Sequence, residues 1–124
     1  AVKHGLRAAS ILLHGEDPEL FEEIKRTIYD KYNPEDLEES QLADQIIQGM
    51  WMRRRAYFAE RALLQECENA ERKIQWRSVC DHDYLKKMAE YRLCAENSIR
   101  RGTEDLIELQ EKRRKVEDEK NGFK

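Results

Sequence analysis

The sequence predicts an all-α chain: an N-terminal arm, a short helix and a long antiparallel helical hairpin expected to assemble into a coiled-coil-like bundle. Three observations carry this. Charged residues make up 40% of the 124-residue chain, while Pro and Gly number only two and five. A composition so poor in breakers suits long helices. Two helix starts repeat one pattern, and apolar residues recur at steps of three and four along two long stretches.

Residues 1–16, "AVKHGLRAASILLHGE", show no sustained helical period. Gly5 and Gly15 bracket a short apolar patch, Ile11 to Leu13, so this segment reads as an arm or a short turn of helix packed on the bundle. Residues 17–124 read as a single helical domain. "DPELFEEI" places Asp17 at an N-cap, Pro18 at the first helical position and acids in the first turn. Cap, proline and dipole-favourable carboxylates agree there. The first helix is predicted over 18–32, with Leu20, Phe21, Ile24 and Ile28 on one face.

"NPEDLEES" repeats the signal with Asn33 as cap and Pro34 next, predicting a second helix over 34–77. Stepping by three and four gives Leu42, Ile46, Gly49, Arg53, Ala56, Glu60, Leu63, Cys67, Ala70 and Ile74. "RSVCDHD" is the predicted turn, with Ser78 or Asp81 as cap. The third helix is predicted over 83–117, its stripe running through Leu85, Met88, Arg92, Ala95, Ile99, Gly102, Leu106, Leu109, Arg113 and Val116. A short turn makes the two long helices antiparallel neighbours. Small residues midway along both stripes would let them approach closely if they face each other. So thin a bundle buries a modest core for its mass, and a homo-oligomer, dimer or higher, is expected.

The net charge of -3 excludes a globally basic nucleic-acid binder. Its distribution is uneven. Residues 17–48 carry ten acids against three bases, residues 49–77 seven bases against four acids, and residues 84–102 five bases against two acids. An acidic N-terminal region and a basic middle point to a charged partner. Within "GMWMRRRAYFAERALL", three consecutive arginines span about 200° of a helix, so they cannot share one environment. Arg53 falls on the apolar stripe and is expected to turn inward to a carboxylate such as Glu60. Arg92 is expected to do likewise, reaching Glu60 or Glu96. Arg54 and Arg55 point elsewhere, beside Trp51, Tyr57 and Phe58, where they could contact phosphates and bases or cover their own aromatic neighbours. With Lys86, Lys87, Arg100 and Arg101 on the third helix, and Lys3 and Arg7 on the arm, they form the candidate nucleic-acid-binding set.

No Gly-rich phosphate loop, zinc spacing or nucleophile elbow is present. "CDHD" (Cys80 to Asp83) is one cluster with His4 and His14 as the only other imidazoles, and it reads as a polar turn with a helix cap. The Glu-x-x-His motif of helical di-iron proteins is absent. No enzyme activity, cofactor or metal is expected. Cys67, Cys80 and Cys94 have no metal or redox spacing and read as reduced cytoplasmic thiols. No secretory signal and no apolar run of membrane length is visible, so no membrane association is expected. The chain opens at "AVKHGL" without Met, as a piece of something longer would.

"KHGLRAASILLHGEDPELFEEI", then "MWMRRRAYFAERALL", then "YRLCAENSIRRGTEDLIELQEKRR" together resemble a widespread family of uncharacterised bacterial helical proteins. Its members show a Lys-His-Gly-Leu arm, a Leu-Pro-Gly-Glu-Asp-Pro segment, a Trp-Arg-x-x-Arg-type stretch and a late Arg/Leu-rich helix. His14 departs from the pattern, standing where the family usually has proline. Some members are described as transposase-like, and the arm commonly follows a basic Gly/Pro/Ser-rich tail. The resemblance implies a bacterial, cytoplasmic, helical protein with a link to DNA or mobile elements; no activity is established for the family, so it names no site. Two functions follow as expectations. The first is an oligomer-forming accessory protein associated with nucleic acid. The alternative is a scaffold module that docks partner helices and touches no nucleic acid.

Overall fold

The structure, a computed structural model, describes residues 12–69 and 82–122. It is all-α: α1 (Pro18–Tyr32), α2 (Leu37–Asn69) and α3 (His82–Gly122), with no strand among the described residues. The helical hairpin predicted from the two long stripes is the observed fold. Most of the arm, with Lys3, His4 and Arg7, lies outside the described residues, as does the predicted turn up to Asp81 with Cys80, Ala70 and Ile74. Asp83, the predicted start of the third helix, belongs to α3, which begins one residue earlier at His82. The chain divides into two compact units, one formed by Ala1–Ile47 with Ser98–Lys124, the other by Gln48–Asn97.

In the first unit α1 begins as its sequence dictates. Asp17 is extended and its Oδ1 accepts the Glu19 N–H at 2.9 Å, with Pro18 at the first helical position. The second predicted start is displaced. Asn33 does not cap α2; it closes α1 in the left-handed conformation (φ 45°, ψ 63°), its N–H donating to the Tyr29 carbonyl at 2.8 Å. Asparagine tolerates that conformation and Pro34 cannot continue the helix, so the pair acts as a stop. Asp36 caps α2 instead. Its Oδ1 accepts the Glu39 N–H at 2.8 Å and its carbonyl accepts the Ser40 N–H at 3.0 Å.

Phe21 and Ile28 of α1, Ala43, Ile46 and Ile47 of α2, and Leu106 of α3 form the buried core of this unit. The α2 and α3 segments run antiparallel: Gln45 Nε2 donates to the Ser98 carbonyl at 3.1 Å, while Glu39, earlier in α2, meets Gln110, later in α3. Close approach occurs at Gly102, as the small-residue pattern suggests, but its neighbours are not small. A Cβ there would lie 3.0 Å from Ile46 Cγ1 and 3.4 Å from the Leu42 carbonyl oxygen. The register that sets Glu39 against Gln110 leaves no part of α2 opposite Val116, which is exposed rather than on the seam.

Two polar networks fasten α1 and α3 to the start of α2. The Tyr29 hydroxyl donates to Asp44 Oδ1 at 2.7 Å, which leaves its oxygen to accept from Ser40 Oγ at 2.9 Å. Burial pushes the Tyr29 phenol up to about 12, with Asp44 adding to the rise. Burial also raises the Asp44 carboxyl, against the opposing pull of the Tyr29 hydrogen bond and Lys25. In the second network the Glu39 carboxylate, 1% exposed, accepts from Gln110 Nε2 (2.9 Å), Arg113 Nε (3.1 Å) and Arg113 Nη2 (3.3 Å). Gln110 Nε2 also donates to the Tyr32 carbonyl at 2.6 Å, satisfying the open end of α1. Arg113 reaches Glu35 at 2.8 Å as well, and its guanidinium is held above its usual pKa, chiefly by the Glu39 hydrogen bond.

The second unit is built differently. Its buried residues are Gly49, Trp51 and Ala56 of α2 and Ala95 of α3, so Trp51 is the one large side chain in a core of small residues among those described. Glu60 and Arg92 pair across the helices at 2.8 Å, as expected from the stripe, but at the surface rather than in the interior.

Candidate nucleic-acid interface

Along α2 two stripes coexist. The stripe toward α3 is the one legible from Leu42, Ile46, Gly49, Ala56 and Glu60. A second, at four-three-four spacing, runs through Ser40, Asp44, Ile47 and Trp51; its first two members touch Tyr29 of α1. The same spacing along the helix continues to Arg54, Phe58 and Arg61. The stripe is covered at Ser40, Ile47 and Trp51 and exposed at Arg54, Phe58 and Arg61.

In the second unit this exposed face is an aromatic–guanidinium cluster. Tyr57 and Phe58 pack edge to face, ring centroids 5.4 Å apart and planes at 78°, and remain 51% and 49% exposed. The Arg54 guanidinium lies 4.6 Å from the Phe58 centroid and 5.6 Å from that of Trp51. Arg61 lies 5.9 Å from the Tyr57 centroid and donates from Nη1 to the Tyr57 hydroxyl at 3.1 Å. Arginine stacked on a ring keeps its edge N–H groups directed outward, while the ring faces hold its plane in place.

The arginine trio resolves otherwise than the stripe predicts. Arg53 is exposed and makes no pair with Glu60, because Arg92 occupies that carboxylate and burying a guanidinium without a partner is costly. The half-buried member is Arg55. Of the aromatics beside the trio, Trp51 is in the core, 1% exposed, while Tyr57 and Phe58 remain at the surface. Among the described residues none of Arg53, Arg54 and Arg61 forms an ion pair with a carboxylate. On α3, Arg92 holds Glu60, Arg100 lies 3.6 Å from Glu104, and Arg113 holds Glu39 and Glu35, while the exposed Arg101 and Arg114 form no ion pair among the described residues.

Comparison with known protein families, curated proteins and solved structures finds no match for this chain.

Of the other residues in the predicted set, Lys86 and Lys87 are exposed on α3 within the second unit. They lie about 7.5 to 9 Å of helix rise from Arg92 toward the N-terminus of α3. Arg100 and Arg101 are exposed and belong to the first unit. Lys3 and Arg7 lie outside the described residues. Arg53 and Arg61 were missing from the set; the 54–58–61 spacing was the signal that could have found Arg61. Elsewhere a groove of the first unit is lined by Glu38, Asp105, Glu108 and Lys112 beside Leu42 and Leu109, an acidic rim unsuited to an anion. Among the described residues no group of three or more His, Cys, Asp or Glu could hold a metal ion, and no helix is long and apolar enough to cross a membrane.

Proposed function

We propose that this chain is a non-enzymatic helical accessory protein that assembles with copies of itself and contacts nucleic acid through the exposed α2 face. The observation that carries this reading is the trio Arg53, Arg54 and Arg61, exposed and outside any ion pair among the described residues, beside the exposed Tyr57–Phe58 pair. In a chain of net charge -3, guanidiniums outside ion pairs beside exposed rings on α2 favour an external polyanion. Exposed rings add a surface on which bases stack. Self-association is supported by the apolar side chains left exposed on the long helices, Ile107 and Val116 in one unit and Leu64 and Leu93 in the other.

Leu64 and Leu93 also favour a second reading, a scaffold that docks partner helices through apolar contact. Salt separates the two. Fluorescence anisotropy of labelled DNA at two salt concentrations will show binding that weakens steeply as salt rises if phosphates are contacted, because counterions are released. No DNA binding at either concentration would leave helix docking as the better reading. Sedimentation equilibrium tests the assembly claim directly, and a monomer at all concentrations would contradict it.

A further inference from the structure

We infer that the α2 face takes single-stranded rather than duplex nucleic acid, an inference that rests on the nucleic-acid reading above. In a duplex each base face is stacked on its neighbours, and a protein finds phosphates and base edges but no open π surface. An unpaired strand offers phosphates and base faces together. The cluster is built for both. Tyr57 and Phe58 leave half their surface open, at planes 78° apart, so they present two differently oriented platforms. The Arg54 guanidinium, stacked 4.6 Å from the Phe58 centroid, adds a third flat surface, since bases stack on guanidinium planes as well as on rings.

Charge and length agree. Arg54 to Arg61 spans seven residues of helix, about 10 Å of rise, close to the length of about three stacked nucleotides of one strand. Arg54 and Arg61 stand at the two ends of a stretch carrying about three phosphates, with Arg53 about a quarter-turn away around the helix. The rings are edged by guanidiniums, which suits a polyanion better than the apolar face of a helix.

The test is competition binding to the intact chain with three probes: a labelled oligothymidylate, a duplex of equal length and unlabelled polyglutamate. The single strand is expected to bind at least about tenfold more tightly than the duplex at one salt concentration. Tyr57→Ala with Phe58→Ala should weaken it by roughly tenfold or more, since each stacked base contributes about 1–3 kcal/mol. Both rings are exposed, so far-UV circular dichroism should show full helicity in this variant. Duplex bound as tightly as single strand, or single strand bound without regard to the rings, would sink the inference while the nucleic-acid reading stands. Binding of neither would sink both. Polyglutamate displacing the strand as well as unlabelled strand does would assign the face to an acidic polypeptide and overturn the proposal.

Discussion

Arg113 grips the buried carboxylate of Glu39 at two points, Nε to Oε2 at 3.1 Å and Nη2 to Oε1 at 3.3 Å, and so ties the end of α3 to the first turn of α2. The carboxylate is out of water, yet all its contacts are donors: Gln110 completes the set and in turn holds the last carbonyl of α1. A pair of this kind adds little over an apolar pair of equal volume, but it is costly to break from one side.

Glu39→Ala should therefore lower stability by about 1–3 kcal/mol, because Gln110 and Arg113 lose a buried acceptor and keep only Tyr32 and the more exposed Glu35 and Glu117. Glu38→Ala, one residue away and exposed, should change it by less than about 0.5 kcal/mol. Urea unfolding of both variants checks this, and equal effects would mean that the Glu39 network contributes nothing specific.

Gly102 poses a contest between propensity and space. Alanine gains about 1 kcal/mol over glycine inside a helix. Its Cβ would press Ile46 Cγ1 at 3.0 Å, where Ile46 is itself buried, and meet the Leu42 carbonyl oxygen at 3.4 Å. Crowding should win, with Gly102→Ala destabilising by about 1 kcal/mol net and Gly102→Val by more. Gly122, with nothing within 4 Å of its Cβ position, should tolerate alanine with no loss. Thermal melts of the variants decide it.

Tyr29 and Asp44 give the fold a pH dependence with a definite sign. Both have folded-state pKa values above their ordinary ones, Tyr29 at about 12, so both favour the folded state when protonated. Their contribution is complete below the unfolded-state values and is lost as pH rises, for Asp44 from about 4 upward and for Tyr29 between about 10 and 12. Urea unfolding at about pH 9 and about pH 11.5 should show a larger loss for the wild type than for Tyr29→Phe, in which every other group titrates alike. Tyr29→Phe itself should cost about 1–2 kcal/mol at neutral pH through its two missing hydrogen bonds.

Arg92 and Glu60 sit with side chains 45% and 22% exposed, so their pair should matter little to stability, about 0–1 kcal/mol. It matters more to charge. Glu60→Gln releases Arg92 from its carboxylate, and the chain should then bind DNA more tightly at low salt and with a steeper salt dependence. Anisotropy titrations of this variant will show the change, and an unaltered slope would place Arg92 outside the contacted surface.

Much of the fold was legible where a local rule acted alone. Asp17 and Pro18 fix the start of α1 because cap and proline need no tertiary partner. Asn33 and Pro34 carry the same residue types at a helix end, where only the left-handed backbone at Asn33 tells a stop from a start. The α3 seam through Ala95, Gly102 and Leu106 could be read because that helix shows one buried stripe. The face of α2 was harder. It buries two stripes, and a single three-four walk from Leu42 sends Arg53 inward and leaves Trp51 outside. The open cluster at Arg54, Phe58 and Arg61 follows from the second stripe, and Arg53 stays outside an ion pair because its expected carboxylate, Glu60, is held from α3.

The central claim is that these arginines meet phosphate. Salt-dependent anisotropy of a labelled single strand with the wild type and with Arg53→Gln/Arg54→Gln/Arg61→Gln tests it most directly. The account predicts weaker binding by the triple variant and a salt slope shallower by about 2, since each phosphate neutralised on a single strand adds about 0.7 to the slope. Identical affinity and slope in both proteins would contradict it.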